Sequence, residues 1–241
     1  MRLVVHVFSA QKDGNQPEQY EDAWARGSHG EMAMSDGATE GYNAARFARA
    51  IVKAFVEAPP QSTPGAVAAW LKGPIQTWHK GIDWANLPWN AQAKAERGSM
   101  ATLLGIIFQD WKWNALAIGD ICLFHTRQYA MLQTFPLTRP EEFGYTPSLL
   151  YTKAERNAKS LANLKVISGQ CQLGDMFLVI SDALAAWLMN IVASGDPKKA
   201  QRFLEMLAGL NQKRFHRLIK SLLAAGLLKN DDVTLARIFV V

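Results

Sequence analysis

Met100–Phe108 (MATLLGIIF), Trp111–Ile118 (WKWNALAI), Ile121–His125 (ICLFH) and Tyr129–Thr134 (YAMLQT) are four short apolar runs separated by turn-sized gaps. Each has the length and the branched or aromatic content of a β-strand. Asp110 is a natural turn residue between the first two, so the stretch predicts an antiparallel meander. Outward from it, Leu3–Phe8 and Glu31–Ser35 (EMAMS) read as strands, as do Met176–Ser181 and the closing Val233–Val241. Ala44, Phe47, Ala48, Ile51, Val52 and Phe55 recur at helical spacing and predict a helix over about Glu40–Glu57. Pro59, Pro60 and Pro64 break it, and a second helix is expected over about Gly65–Lys80. Three more are expected near Leu184–Val192, Pro197–Ala208 and Gln212–Ala225. Strands come in runs rather than alternating strictly with helices, which favours antiparallel sheets with helices on their outer faces.

Two regions lack that regularity. Trp70, Trp78, Trp84 and Trp89 make one stretch aromatic and are read as core packing against a sheet. Pro136–Lys165 mixes Pro, Arg, Glu and Ser without periodicity and is read as a long, mobile loop or flap. With no linker, internal repeat or low-complexity segment, residues 1–241 are read as one domain.

The 241 residues are 49% hydrophobic and 20% charged, as in an ordinary globular protein able to bury a sizeable core. No stretch approaches the roughly 20 apolar residues of a membrane span. The opening MRLVVHVFSAQKDGN reads as a strand rather than a signal peptide, so a cytoplasmic location without membrane association is expected. Cys122 and Cys171 lie in or beside apolar strand-like runs and are read as buried free thiols. The net charge of +5 raises nucleic acid as a partner. Against it, Lys198, Lys199, Arg202, Lys213, Arg214, Arg217 and Lys220 alternate with helical apolar positions, the pattern of a solvated helix face. They also lack the aromatic interleaving of a single-strand groove.

The informative residues are acids at the ends of strands. Asp36 ends EMAMSDG, Asp120 ends ALAIGD, Asp182 ends MFLVISD, and Asp231 with Asp232 opens DDVTLARIFVV. Glu21 and Asp22 adjoin in QYEDAW before another apolar stretch. Singly, each reads as a turn or helix cap: Asp36-Gly37 and Asp120 fit turns, and Asp182 fits a cap on the helix near Leu184. Converging at one sheet edge, they would be a cluster of like charges that bound cations stabilise. Oxygen donors suit hard ions such as Mg²⁺ or Mn²⁺. Zinc is poorly supported, because His6, His29, His79, His125 and His216 are scattered and no paired cysteines accompany them. His125, beside a strand end, is read as structural.

In order along the chain, YEDAW, MSDGATEG, RGSMATLLGII, LAIGDICLF, FPLTRPEE, LGDMFLVISDAL and NDDVTL resemble the successive motifs of the type 2C metal-dependent protein phosphatases. The resemblance is to the compact bacterial form and spans nearly the whole chain. It implies an α+β fold in which two antiparallel sheets pack as a sandwich with helices on both outer faces, in α-β-β-α layers. It also implies hydrolysis of phosphoserine and phosphothreonine in signalling phosphoproteins by a water bridging two Mn²⁺ or Mg²⁺ ions, with a cognate serine/threonine kinase as a further partner.

Carried over residue by residue, the resemblance gives Asp36 as the ligand bridging both ions and the Gly37 carbonyl as another ligand. Asp182 and Asp231 complete one ion, and Glu21 approaches the other. Asp22 hydrogen-bonds metal-bound water, so that Asp36 and Asp22 are the catalytic pair. Asp120 supports the site or holds a third, weaker ion.

Three departures accompany the match. Pro17–Tyr20 stand where relatives carry an arginine, leaving Lys12 or Arg26 to bind phosphate. Ala38 follows Asp36-Gly37, so no general acid is named. Ala183 replaces a usual glycine, and Leu184, Ala185 and Ala186 leave out a further aspartate, which bears on the third ion. The competing readings are a catalytically inactive binding or regulatory module on the same fold and a basic nucleic-acid-binding domain.

Overall fold

The apolar runs are nearly continuous because most strands are covered on both faces. The computed structural model describes residues 1–144 and 147–241. In chain order its strands are β1 (Leu3–Ala10), β2 (Ala23–Arg26), β3 (Glu31–Ser35), β4 (Met100–Ala101), β5 (Leu103–Gln109) and β6 (Lys112–Ile118). They continue as β7 (Cys122–Arg127), β8 (Ala130–Phe135), β9 (Leu150–Tyr151), β10 (Lys165–Gln170), β11 (Asp175–Ile180) and β12 (Val233–Val240). The helices are α1 (Ala44–Glu57), α2 (Pro64–Lys80), α3 (Trp89–Arg97), α4 (Asn157–Ala162), α5 (Asp182–Ala193), α6 (Pro197–Ala208) and α7 (Gln212–Ala224).

One antiparallel sheet has the order β1-β12-β11-β7-β8, the other β10-β6-β5-β3-β2, and β4 pairs with β9 alone. Alternation of side chains between faces sorts the core into three layers. From β12, Ala236, Ile238 and Val240 point to one layer, and so do Phe177 and Val179 of β11. That layer also takes Met32 and Met34 of β3 and Leu104, Ile106 and Phe108 of β5, so it is the seam between the sheets. The opposite faces feed separate clusters. Val233, Leu235, Met176, Leu178 and Ile180 pack with Leu184 and Leu188 of α5, Leu204 of α6 and Phe215 of α7. Ala33, Leu103, Leu116 and Ile118 pack with Phe47, Ile51 and Phe55 of α1 and Leu71 of α2. The result is the four-layer α-β-β-α sandwich. Phe55 fits because Gly105 on β5 has no Cβ; one built there would overlap the Phe55 ring.

The helix ends follow the local chemistry. Thr63, Asp196 and Asn211 cap α2, α6 and α7 by accepting hydrogen bonds from the main-chain N–H of Ala66, Lys199 and Arg214. The charged residues of α6 and α7 expected to form a solvated face are exposed. Cys122 and Cys171 are buried free thiols. No helix among the described residues is long and apolar enough to cross a membrane.

Several expectations need correction. The first helix starts at Ala44 instead of Glu40, since a Gly41 N–H to Ala38 carbonyl turn and a left-handed Asn43 (φ 52°) precede it. The strand expected over Met100–Phe108 is interrupted at Thr102, which leaves the ladder to bond Asp36. Trp78 is buried as expected, but Trp89 is 85% exposed at the start of α3, beyond reach of the core. Pro136–Lys165 is not one irregular loop: it contains β9, α4 and two short 3₁₀ turns. Tyr145 and Thr146 of that segment lie outside the described residues.

Candidate active site

The antiparallel register collects the acids at one rim. Ala23 opens β2 opposite Ser35, the end of β3, so Glu21 and Asp22 meet Asp36. The start of β5, at Leu103, pairs with the end of β6 at Ile118, which brings Asp120 to the same side through Gly119. In the other sheet Ile180 ends β11 opposite Leu235 near the start of β12, placing Asp182 beside Asp231 and Asp232. Between these rims lies a cleft of about 660 Å³, lined by Glu21, Asp36, Gly37, Asp120, Asp182 and Asp231 among others. Six of the seven residues assigned by resemblance thus face one space.

Asp22, the seventh, lies beneath it. It is buried, and its Oδ2 accepts a hydrogen bond from the Thr234 hydroxyl at 2.7 Å. Thr234 also bonds the Tyr20 hydroxyl, which lies 3.2 Å from the Val233 carbonyl. This link ties the segment entering β2 of one sheet to β12 of the other. Asp232 pins the same junction by accepting from the main-chain N–H of Glu21 and of Lys12, both at 2.8 Å.

Asp36 is held through its backbone: its N–H donates to the Thr102 hydroxyl (2.9 Å) and its carbonyl accepts from the Thr102 N–H (2.8 Å). Gly37 bridges to Ala101, and a Cβ there would come within 2.8 Å of the Ala44 main chain, so only glycine fits. Thr39 donates to the Glu21 carboxylate, and Lys94 Nζ donates to the Thr39 carbonyl at 2.9 Å. Asp182 is the first residue of α5 rather than its cap; the preceding Ser181 occupies that position, and Asp182 Oδ1 accepts from the Ala183 N–H at 2.6 Å.

Burial and crowding oppose ionisation at Asp36, Asp22, Asp120, Glu21 and Asp182. Burial pushes the Asp36 carboxyl well above its usual range, and the charges of Asp22, Asp182, Asp120 and Asp231 add to it. Asp22 is pushed up to about 7, mainly by burial and then by Asp232 and Asp182, against the Thr234 bond. Asp120 also rises to about 7, by burial and then by Asp182. Glu21 and Asp182 are raised by burial, partly offset by Thr39 and by Lys229 respectively.

Lys229, which the sequence reading missed, supplies a cation here. Its Nζ lies 2.6 Å from Asp231 Oδ2 and 3.5 Å from Asp182 Oδ2. Lys12 lines the cleft, whereas the Arg26 guanidinium donates to the Leu3 carbonyl away from it. Described parts of the expected flap, Gly144, Pro147, Leu149 and Tyr151, form one wall. His125 is structural: buried in β7, stacked on Phe177, and 2.8 Å from the buried Asp175.

As these side chains stand, no three His, Cys, Asp or Glu groups among the described residues are close enough to share an ion. The donor set nonetheless fits hard cations. It is all oxygen, Asp22 Oδ1 and Asp120 Oδ1 are buried without hydrogen-bond partners, and an ammonium already stands between Asp182 and Asp231.

No family model matches the sequence, and no curated protein matches it. Solved structures do. The catalytic domain of the serine/threonine protein phosphatase PstP in complex with two manganese ions is similar over 100% of both chains, with 18% identity and a TM-score of 0.61. Mycobacterium tuberculosis PstP/Ppp covers 99% of this chain and 98% of its own, at 17% identity and a TM-score of 0.62. The photosystem II phosphatase PBCP gives 15% identity and a TM-score of 0.60 over 100% of this chain and 99% of its own. The chain has the fold of the type 2C serine/threonine protein phosphatases.

Proposed function

We propose that residues 1–241 form a single metal-dependent phosphatase domain that hydrolyses phosphoserine and phosphothreonine in proteins. The observation that carries this reading is the convergence of carboxylates from both sheets on one cleft whose lining, among the described residues, contains neither histidine nor thiol. The likeness to a phosphatase structure holding two manganese ions supports it.

Two Mn²⁺ or Mg²⁺ ions, when bound, supply a strong oxygen nucleophile at neutral pH and neutralise the phosphate's charge. The chain's part is to hold and orient. Asp36, Asp182 and Asp231 are the ligands proposed for one ion. Asp36 and the Gly37 carbonyl serve the other, with Glu21 approaching it. Asp120 supports the site or takes a weaker third ion. Asp22, fixed through Thr234 beneath the cleft, leaves Oδ1 without a partner, so that a water admitted below the ions would find an acceptor there. Lys12 takes the phosphate-contacting role left by the absent arginine. Its main chain is pinned by Asp232 while its side chain borders the cleft. Met100, Leu149 and Tyr151 shield the opening on the flap side. The partners are phosphoproteins and a cognate serine/threonine kinase, with a cytoplasmic signalling role.

The test is hydrolysis of p-nitrophenyl phosphate with Mn²⁺, beside Asp36→Asn and an EDTA control. Turnover that needs the metal and collapses in the variant is expected. A folded wild-type protein inactive with Mn²⁺ and Mg²⁺ would leave a binding module as the reading.

A further inference from the structure

We propose that Lys229 is a tethered counter-cation that competes with the divalent ion for Asp182 and Asp231, so that ion entry requires its side chain to swing out. This rests on the metal-dependent reading of the same cleft. Asp182 opens α5 and Asp231 precedes β12, so the two carboxylates are brought together only by the β11–β12 pairing. Lys229 Nζ reaches both, at 3.5 Å and 2.6 Å. Among the described residues it is the only cation in ion-pair contact with either.

The exposures show how it is held. The lysine side chain is 68% exposed, while those of Asp182 and Asp231 are 19% and 29% exposed. The ammonium therefore reaches inward from the rim on four methylenes and is retained by charge rather than by packing. Released, it returns to water without disturbing the core. A divalent ion on Asp182 and Asp231 would meet the ammonium at the same Oδ2 atoms, and two cations repel at that range. Either occupant relieves the repulsion among the carboxylates, and each weakens the other's hold on the Oδ2 atoms they share.

Two measurable effects of opposite sign follow. Without metal, Lys229 relieves the cluster, so its removal lowers stability. With metal, Lys229 is a competitor, and the ion binds only the fraction of molecules from which it has swung away, so its removal tightens binding. A solvent-exposed ion pair of this kind makes that about a 1.5- to fivefold gain in affinity.

The experiment is titration calorimetry of the EDTA-stripped full chain with Mn²⁺, together with thermal unfolding in EDTA, for wild type, Lys229→Met and Lys229→Arg. Lys229→Met keeps the apolar stem and removes the charge. It is expected to bind Mn²⁺ more tightly than wild type yet melt lower in EDTA, while Lys229→Arg stays near wild type in both. Binding by Lys229→Met but not by wild type would support competition in its strongest form. Unchanged or weaker Mn²⁺ binding by Lys229→Met, in a wild type that does bind, overturns the competition and leaves the phosphatase reading intact. Failure of all three proteins to bind Mn²⁺ overturns both.

Discussion

Asp120→Asn in the metal-free protein isolates the electrostatic cost of the cluster. Asp120 follows β6, with Oδ1 buried and unpartnered. Burial and the neighbouring Asp182 move its carboxyl from an ordinary 3.8 to about 7. Taken whole, that difference corresponds to about 4 kcal/mol of folding free energy above pH 7. The side chain borders an open cleft, and solvent screening reduces the figure to about 1–2 kcal/mol. The sign follows from proton uptake. Below about pH 4 the carboxyl is protonated in both folded and unfolded chains, and the substitution changes nothing through charge. Between about pH 4 and 7 the folded chain holds the proton that the unfolded chain has released, so wild-type stability drains away as pH rises. Above about pH 7 the folded chain carries the full cost, which asparagine avoids. Melting in EDTA from pH 4 to 8 should therefore show Asp120→Asn matching wild type at the acid end. At pH 8 it should melt about 2–8 °C higher. An asparagine variant that melts lower than wild type at pH 8, or whose gain is the same at pH 4.5, would refute the account of a strained carboxylate cluster.

Two further predictions concern the scaffold. Gly105→Ala places a methyl against the Phe55 ring and should cost about 1–3 kcal/mol, read as a lower urea midpoint with an unchanged denaturant slope. Asp175→Asn disturbs a buried carboxylate that accepts from Arg127 at 2.7 and 3.0 Å and lies 2.8 Å from His125 Nε2. Because Arg127 is partly exposed, the expected loss is about 1–3 kcal/mol by the same measurement, with Mn²⁺ affinity unaltered.

The parts of the fold that could be read from sequence are those where burial writes a pattern. α1 shows it through Phe47, Ile51 and Phe55, and β11 through its uninterrupted DMFLVI. α3 and β10 were not foreseen, because neither buries enough to leave a period. α3 has Ala95 as its buried residue, and β10 is a largely exposed edge strand. The flap segment reads as irregular in the sequence because its order comes from distant partners. Thr152 N–H donates to the Ser99 carbonyl, and Tyr151 pairs with Met100. The acids could be located at strand ends, and antiparallel register then explains why six assigned residues face one cleft. What spacing could not encode was depth: Asp22 lies below the cleft because its partner is Thr234, 212 positions away. Lys229 was also missed. Beside NDDVTL it looks like any turn lysine, and its contact with Asp182 exists only once β11 and β12 pair.

Phosphate release from a phosphothreonine peptide, with Mn²⁺ and then with EDTA, for wild type and Asp231→Asn, separates a metal-dependent phosphatase from a binding module. Release by wild type should require Mn²⁺ and fall at least about 100-fold in the variant, the scale of losing an essential transition-state contact. Release that persists in EDTA, or that survives undiminished in Asp231→Asn, would contradict the metal-dependent reading.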